Sequence, residues 1–106
     1  MNTGTVAMPK VLIDYYKAIE DSSAQMLEAA RVEDWDGVVR YEGACALLIE
    51  QLRHRAQSEE LVPELRAEKS RIMRRILEND AQIRLLAEPW LQYLEQQFNG
   101  NRLMLH

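Results

Sequence analysis

Few side chains in this chain are of a type that does chemistry, and their spacing gives them little to work with. The histidines are His54, on the back of a helical stretch, and His106, the last residue. The single cysteine, Cys45, joins neither of them at a metal-ligand spacing. There is no Glu-x-x-His pair of the kind that holds two irons in a helical bundle. A phosphate-binding glycine loop and a nucleophile paired with a base are also missing. No catalytic residue, cofactor or metal is therefore expected. Cys45 falls on an apolar seam, where the ordinary role is that of a small packed hydrophobe.

Two other polar residues stand among apolar seam positions. Glu42 reads in two ways: a carboxylate at the margin of a bundle, satisfied by a tyrosine hydroxyl or an arginine, or a recognition group for a partner. Asn79 reads as a polar contact that fixes helix register. The basic residues Arg66, Lys69, Arg71, Arg74 and Arg75 are interleaved with Glu64, Glu68 and Glu78. That mixture is a solvated face with i,i+4 pairs, not the uninterrupted basic stripe a nucleic acid needs.

The elements that position these residues follow from composition and periodicity. A chain of 106 residues, 47% hydrophobic and 28% charged, is expected to form a single domain, 1–106. With 4 Gly, 3 Pro and no strand-forming runs, it reads as all-α. The net charge is −4, which disfavours phosphate backbones as partners. Residues 1–50 carry 4 basic and 9 acidic side chains, and residues 51–106 carry 9 and 8. A lone cysteine favours a cytoplasmic location. Neither a signal peptide nor an 18-residue apolar span is visible, so no membrane is expected as a partner.

Residues 1–8 read as a flexible start, with Pro9 opening a first helix over about 9–31. Its seam is Leu12, Tyr16, Ile19, Ser23, Met26 and Ala30. After the break at Val32–Gly37, Asp34 is the expected N-cap of a second helix over roughly 35–57. That helix carries Trp35, Val38, Glu42, Cys45, Ile49, Leu52 and Ala56 on its seam, and the short connection folds it back on the first. Pro63 opens a third helix with Leu65, Ile72, Ile76, Ile83, Leu86, Trp90 and Tyr93 on one seam. Ile76 is expected in the core. Pro89 allows a kinked continuation or a short fourth helix, and the unbroken apolar register favours the kink. Asn99-Gly100 reads as the helix stop, leaving 99–106 as a tail.

A second apolar row runs beside the seam: Met73, Leu77, Ala87, Leu91, Leu94 and Phe98. It is either core or a partner-binding groove. Trp90, Leu91, Leu94 and Phe98 are apolar enough to need covering, so residues 90–98 are expected in or beside that groove. The competing reading is a permanent extension of the third helix, packed on the first helix or on a second subunit.

With these residues in place, the chain resembles the FliT family, cytoplasmic type III export chaperones of bacterial flagella. The match runs from about Tyr16 to Leu94. It comprises Ser23-x-x-Met26-Leu27 followed by Ala29-Ala30, then Trp35-Asp36 with Glu42, and Ile76-Leu77-Glu78-Asn79 with Ile83 and Leu85-Leu86. The resemblance implies an antiparallel helical bundle that binds the filament-capping protein FliD before export. It also implies contact with the export ATPase components and, in some members, with a flagellar transcriptional regulator. In the family a C-terminal helix can fold back and inhibit binding, where this sequence ends soon after Gly100. Met73 and Arg84 match the family's recognition surface, which makes Met73, Leu77, Arg84, Leu91, Leu94 and Phe98 the candidate partner-binding residues. A homodimer is compatible with the same surface. The alternative class is a small helical mutase of the chorismate type, which needs several Arg and Lys converging on a dicarboxylate.

Overall fold

The computed structural model describes the backbone of residues 11–104 and the side chains of residues 11–99. Within it the chain forms α1 (Leu12–Arg31), α2 (Trp35–Ala56), a 3-10 turn (Pro63–Leu65) and α3 (Arg66–Met104). No strand occurs among the described residues. The expected start at Pro9 and the flexible 1–8 lie outside the described residues.

The turn between α1 and α2 is set by local groups, and the start of α1 is not. The Asp34 carboxylate accepts from the Gly37 N–H at 3.0 Å, as an N-cap should. A Cβ at position 37 would collide with that carboxylate and press on Ala29, so any other residue there would have to displace the cap. α1 closes with a Schellman pattern: Asp34 N–H donates to Ala29 O at 2.9 Å and Glu33 N–H to Ala30 O at 3.1 Å. Glu33 takes the left-handed position at φ 59° that glycine usually holds. At the start of α1, the preceding Val11 offers no side-chain cap. Glu59, 47 residues away, accepts from the Leu12 N–H at 2.9 Å and so caps the helix from the connector.

α1 is the helix on which the other two pack. Towards the turn after α1, Leu27, Ala30 and Ile83 form the core, with Met26, Trp35 and Val38 against them. Further from that turn, Leu12, Ile13, Ile19 and Ile72 are buried, and Ile72 is fully so. Asn79 is buried and donates to Ser23 Oγ at 3.0 Å, while Ser23 donates to the Glu20 carbonyl at 2.8 Å. The polar break in the α3 seam is therefore a buried bond that sets α3 against α1. Lys69, a second polar residue in line with the α3 seam, lies half-buried with its ammonium 5.5 Å from the Tyr16 ring centroid.

Two expectations change, and one holds. The Asn99-Gly100 stop does not operate, because α3 continues through Gly100 to Met104. An interior glycine costs a helix only about 1 kcal/mol, which the flanking helix formers Gln96, Gln97, Arg102 and Leu103 offset. Pro89 likewise sits inside α3, so the continuation holds and no separate fourth helix follows it among the described residues. At 39 residues and about 1.5 Å per residue, α3 spans about 58 Å; the molecule measures 58 × 30 × 21 Å. The second change concerns the seam. Leu86, Trp90 and Tyr93 share the face of Ile72 and Ile83 yet are exposed. α1 ends at Arg31, which bonds Gln82 at 3.3 Å, so beyond that level the face has no α1 to meet. Ile76 is only half-buried.

Ile72→Ala should lower stability by about 2–5 kcal/mol, and Ile76→Ala by clearly less, in denaturant titrations of both variants. Glu59 supplies a pH test. Its bonds from Arg55, at 2.7 Å, and from Leu12 hold its carboxyl below the ordinary carboxylate value. A depressed folded pKa makes this contribution complete above the unfolded value of about 4.3. The contribution is lost as pH falls through the folded value. Glu59→Gln should therefore flatten the decline of Tm below about pH 4.3 relative to the parent.

Candidate functional site

Because α2 and α3 each pack on α1 and not on one another along their lengths, a groove lies between them, floored by α1. Its volume is about 560 Å³. α1 contributes Ile19, Ser23 and Met26 to the floor; the α2 wall runs from Trp35 to Ile49 and the α3 wall from Ile76 to Leu91. The α2 wall spans 15 residues and the α3 wall 16, each about 21 Å of helix from end to end. At one end Trp35 and Trp90 stack with centroids 5.8 Å apart and planes 14° off parallel, tying α2 to α3. The surface is apolar except for Ser23, Glu42, Asp80 and Arg84.

Several of its residues are large, apolar and exposed: Leu77 at 63%, Val39 at 65% and Leu91 at 52%. A contiguous apolar surface of this kind marks a site for another molecule. The volume alone would suit a small ligand, but a trough of about 21 Å with exposed apolar walls has the shape of a helix-binding site.

The candidate residues fall into two sets. Leu77, Arg84 and Leu91 line the groove. Met73, Leu94 and Phe98 are not among the lining residues. Met73 stands one turn before Leu77, while Leu94 and Phe98 extend the row past Leu91. Arg84 is paired with Asp80 at 2.9 Å. The groove is not the second row alone: Ile76, Ile83 and Trp90 of the first seam also line it.

Of residues 90–98, Trp90 and Leu91 sit at the groove, Leu94 is half-buried, and Tyr93 and Phe98 are exposed. The expectation that this segment must be covered does not hold within the described chain.

The candidate partner-binding residues all lie on α3; of the α2 wall, the sequence names Glu42 as one reading of a recognition group but neither Val39 nor Ala46. The available signal was Val39 and Ala46, apolar residues just off the α2 seam. Glu42 had been singled out, and it is exposed on the α2 wall with no hydrogen bond or ion pair among the described residues. The arginine or tyrosine partner considered for it is not there.

Cys45 is buried beside it. Burial pushes its thiol up, a Ser22 bond pulls it down, and the Glu42 charge raises it further. It is a protonated packing residue at neutral pH, not a poised nucleophile.

A second, polar groove of about 750 Å³ runs between α1 and α3. Its Lys17, Arg31, Arg71 and Arg75 are interleaved with Glu20, Asp21, Glu28 and Glu68. Arg71 is held by both Glu68 at 2.7 Å and Glu20 at 3.2 Å. In neither groove do bases converge without neutralising acids. Among the described residues no cluster of metal-binding side chains occurs, and no helix is long and apolar enough to cross a membrane.

Residues 13–103 match the family model described as flagellar protein FliT. The chain belongs to the FliT family. The structure is similar to the crystal structure of flagellar protein FliT from Bordetella bronchiseptica, with a TM-score of 0.70 and 34% identity. That match covers 81% of this chain and 98% of the other. No curated protein matches the chain. The family model spans α1, α2 and nearly all of α3, so the groove and both its walls lie inside the matched region.

Leu77→Glu and Leu91→Glu should each leave Tm within a few degrees of the parent, since both side chains already stand largely in water. Calorimetry or circular-dichroism melts check this; a cooperative loss of fold would assign either residue to the core.

Proposed function

We propose that this FliT-family chain is a cytoplasmic export chaperone of the flagellum. In this reading it holds the filament-capping protein FliD before type III secretion, in the groove between α2 and α3. The observation that carries the proposal is that groove: an apolar trough left open by the described chain, in a member of a flagellar protein family. An export client needs its sticky surface covered until it leaves. An open apolar trough on a small folded protein supplies such a cover without chemistry.

The role is that of a binding protein, not an enzyme. The mutase alternative finds no support, because the cation lining the groove, Arg84, is already paired with Asp80. The fold we infer is an up-down-up bundle. The Asp34–Ala29 bond at one end, and the Leu12–Glu59 bond from the connector after α2 at the other, support α2 antiparallel to α1. The Arg71–Glu20, Asn79–Ser23 and Gln82–Arg31 pairs set α3 parallel to it. Leu77, Arg84 and Leu91 would contact the client directly. Met73 at one end and Leu94 and Phe98 at the other would extend the contact past the groove. The exposed polar face of α1 and α3 is left for the export ATPase components or a transcriptional regulator.

The test is pull-down and titration against FliD from the same genome. The parent chain should bind, and Leu77→Glu should weaken binding at least about tenfold, which is about 1.4 kcal/mol. Met73→Glu should have a smaller effect. Full binding by a folded Leu77→Glu variant would remove the client from this groove, and absence of binding by the parent would refute the chaperone reading.

A further inference from the structure

The groove is apolar along both walls, yet its α2 wall carries one carboxylate at its midpoint. Glu42 lies seven residues after Trp35 and seven before Ile49, the two ends of that wall. At helical rise it stands about 10 Å from either end. Its neighbours one turn away are Val38, Cys45 and Ala46, which also line the groove. The other two charges there, Asp80 and Arg84, neutralise one another at 2.9 Å. Glu42 has no ion pair among the described residues, so the groove's uncompensated charge is a single negative one at its centre.

From this we infer that Glu42 is a charge selector. It admits to the groove an amphipathic helix of about four turns with a lysine or arginine at the middle of its apolar face, and it rejects one with an apolar or acidic residue there. The inference rests on the groove being the client site. Any helix laid along the trough takes Glu42 out of water, and a carboxylate so covered is strongly penalised unless a cation meets it. A wrong residue at that position is thus penalised by an unpaired buried charge, which gives specificity that the apolar walls cannot supply. The occupant's length follows from the walls, since about 21 Å of trough matches about 14 helical residues. The chain's own charge of −4 also favours a basic helix over an acidic one at encounter.

The experiment uses two capped 15-residue helical peptides with a leucine stripe, identical except for Lys or Glu at position 8 in that stripe. Binding to the full chain is followed through the emission of Trp35 and Trp90, and Glu42→Gln and Glu42→Lys are measured beside the parent. Glu42 is exposed, so both variants should melt as the parent does. The parent should prefer the Lys peptide about tenfold. Glu42→Gln should shrink that preference to about threefold or less, and Glu42→Lys should reverse it. The preference should also fall between 0.1 M and 1 M salt, where the screening length drops from about 10 Å to about 3 Å. The same preference in all three proteins overturns the selector and leaves the groove as the client site. If neither peptide alters the tryptophan emission in any of them, the helical occupant and the selector fall together. FliD binding, measured separately, then decides the chaperone reading.

Discussion

The buried bond between Asn79 and Ser23 fixes how α3 lies on α1, and the open groove follows from that placement. Neither partner is left unpaired: Ser23 passes its own proton to the Glu20 carbonyl while accepting from Asn79. A buried amide without that acceptor would lose about 1–3 kcal/mol, so sliding α3 by one residue along α1 is penalised. Around the bond, Ile72 and Ile83 enter α1's surface, and the Lys69–Tyr16 and Arg71–Glu20 contacts fall in step. Register is set by one polar pair and filled in by packing.

With α1 serving both neighbours, the remaining geometry is constrained. Two helices that share a third without packing on each other must leave a trough, and its depth is set by how far apart α1 holds them. Here the walls meet through the Trp35–Trp90 stack at one end. Beyond it α3 continues for more than three further turns, where it has neither α1 nor the body of α2 alongside. The exposure of Tyr93 and Phe98 is the consequence: their sequence pattern is that of an interface, and the described residues supply only one side of it.

What could be read beforehand was local or periodic. Asp34 as a cap, the break after Arg31 and the start at Trp35 all depend on groups within a few residues of each other. The role of Asn79 was legible because a lone amide in an apolar seam has few other uses. Cys45 was legible for the same reason. The Glu59 cap on Leu12 was not, since it joins positions 47 residues apart and nothing near Val11 announces it. The end of α3 was misjudged because a glycine's cost is small against a strongly helical context. Periodicity placed Leu86, Trp90 and Tyr93 on the correct face, but it says nothing about where the helix they face comes to an end. Val39 and Ala46 on the α2 wall were not legible for a related reason: the α2 seam looked fully used by α1, and only the placement of α3 opens its flank.

This arrangement separates folding from recognition. The contacts that hold the fold, around Leu27 and Ala30 of α1 and Ile83 of α3, are buried, while Val39, Leu77 and Leu91 stand largely in water. Ile83 serves both surfaces, being buried in the core and part of the groove lining. A protein built this way can vary its outer walls to follow a client while the inner face is constrained by packing. Its stability has to come almost entirely from one helix's two faces. That accounts for the long-range cap on α1 and the Schellman closure at its other end, which together secure that helix at both termini.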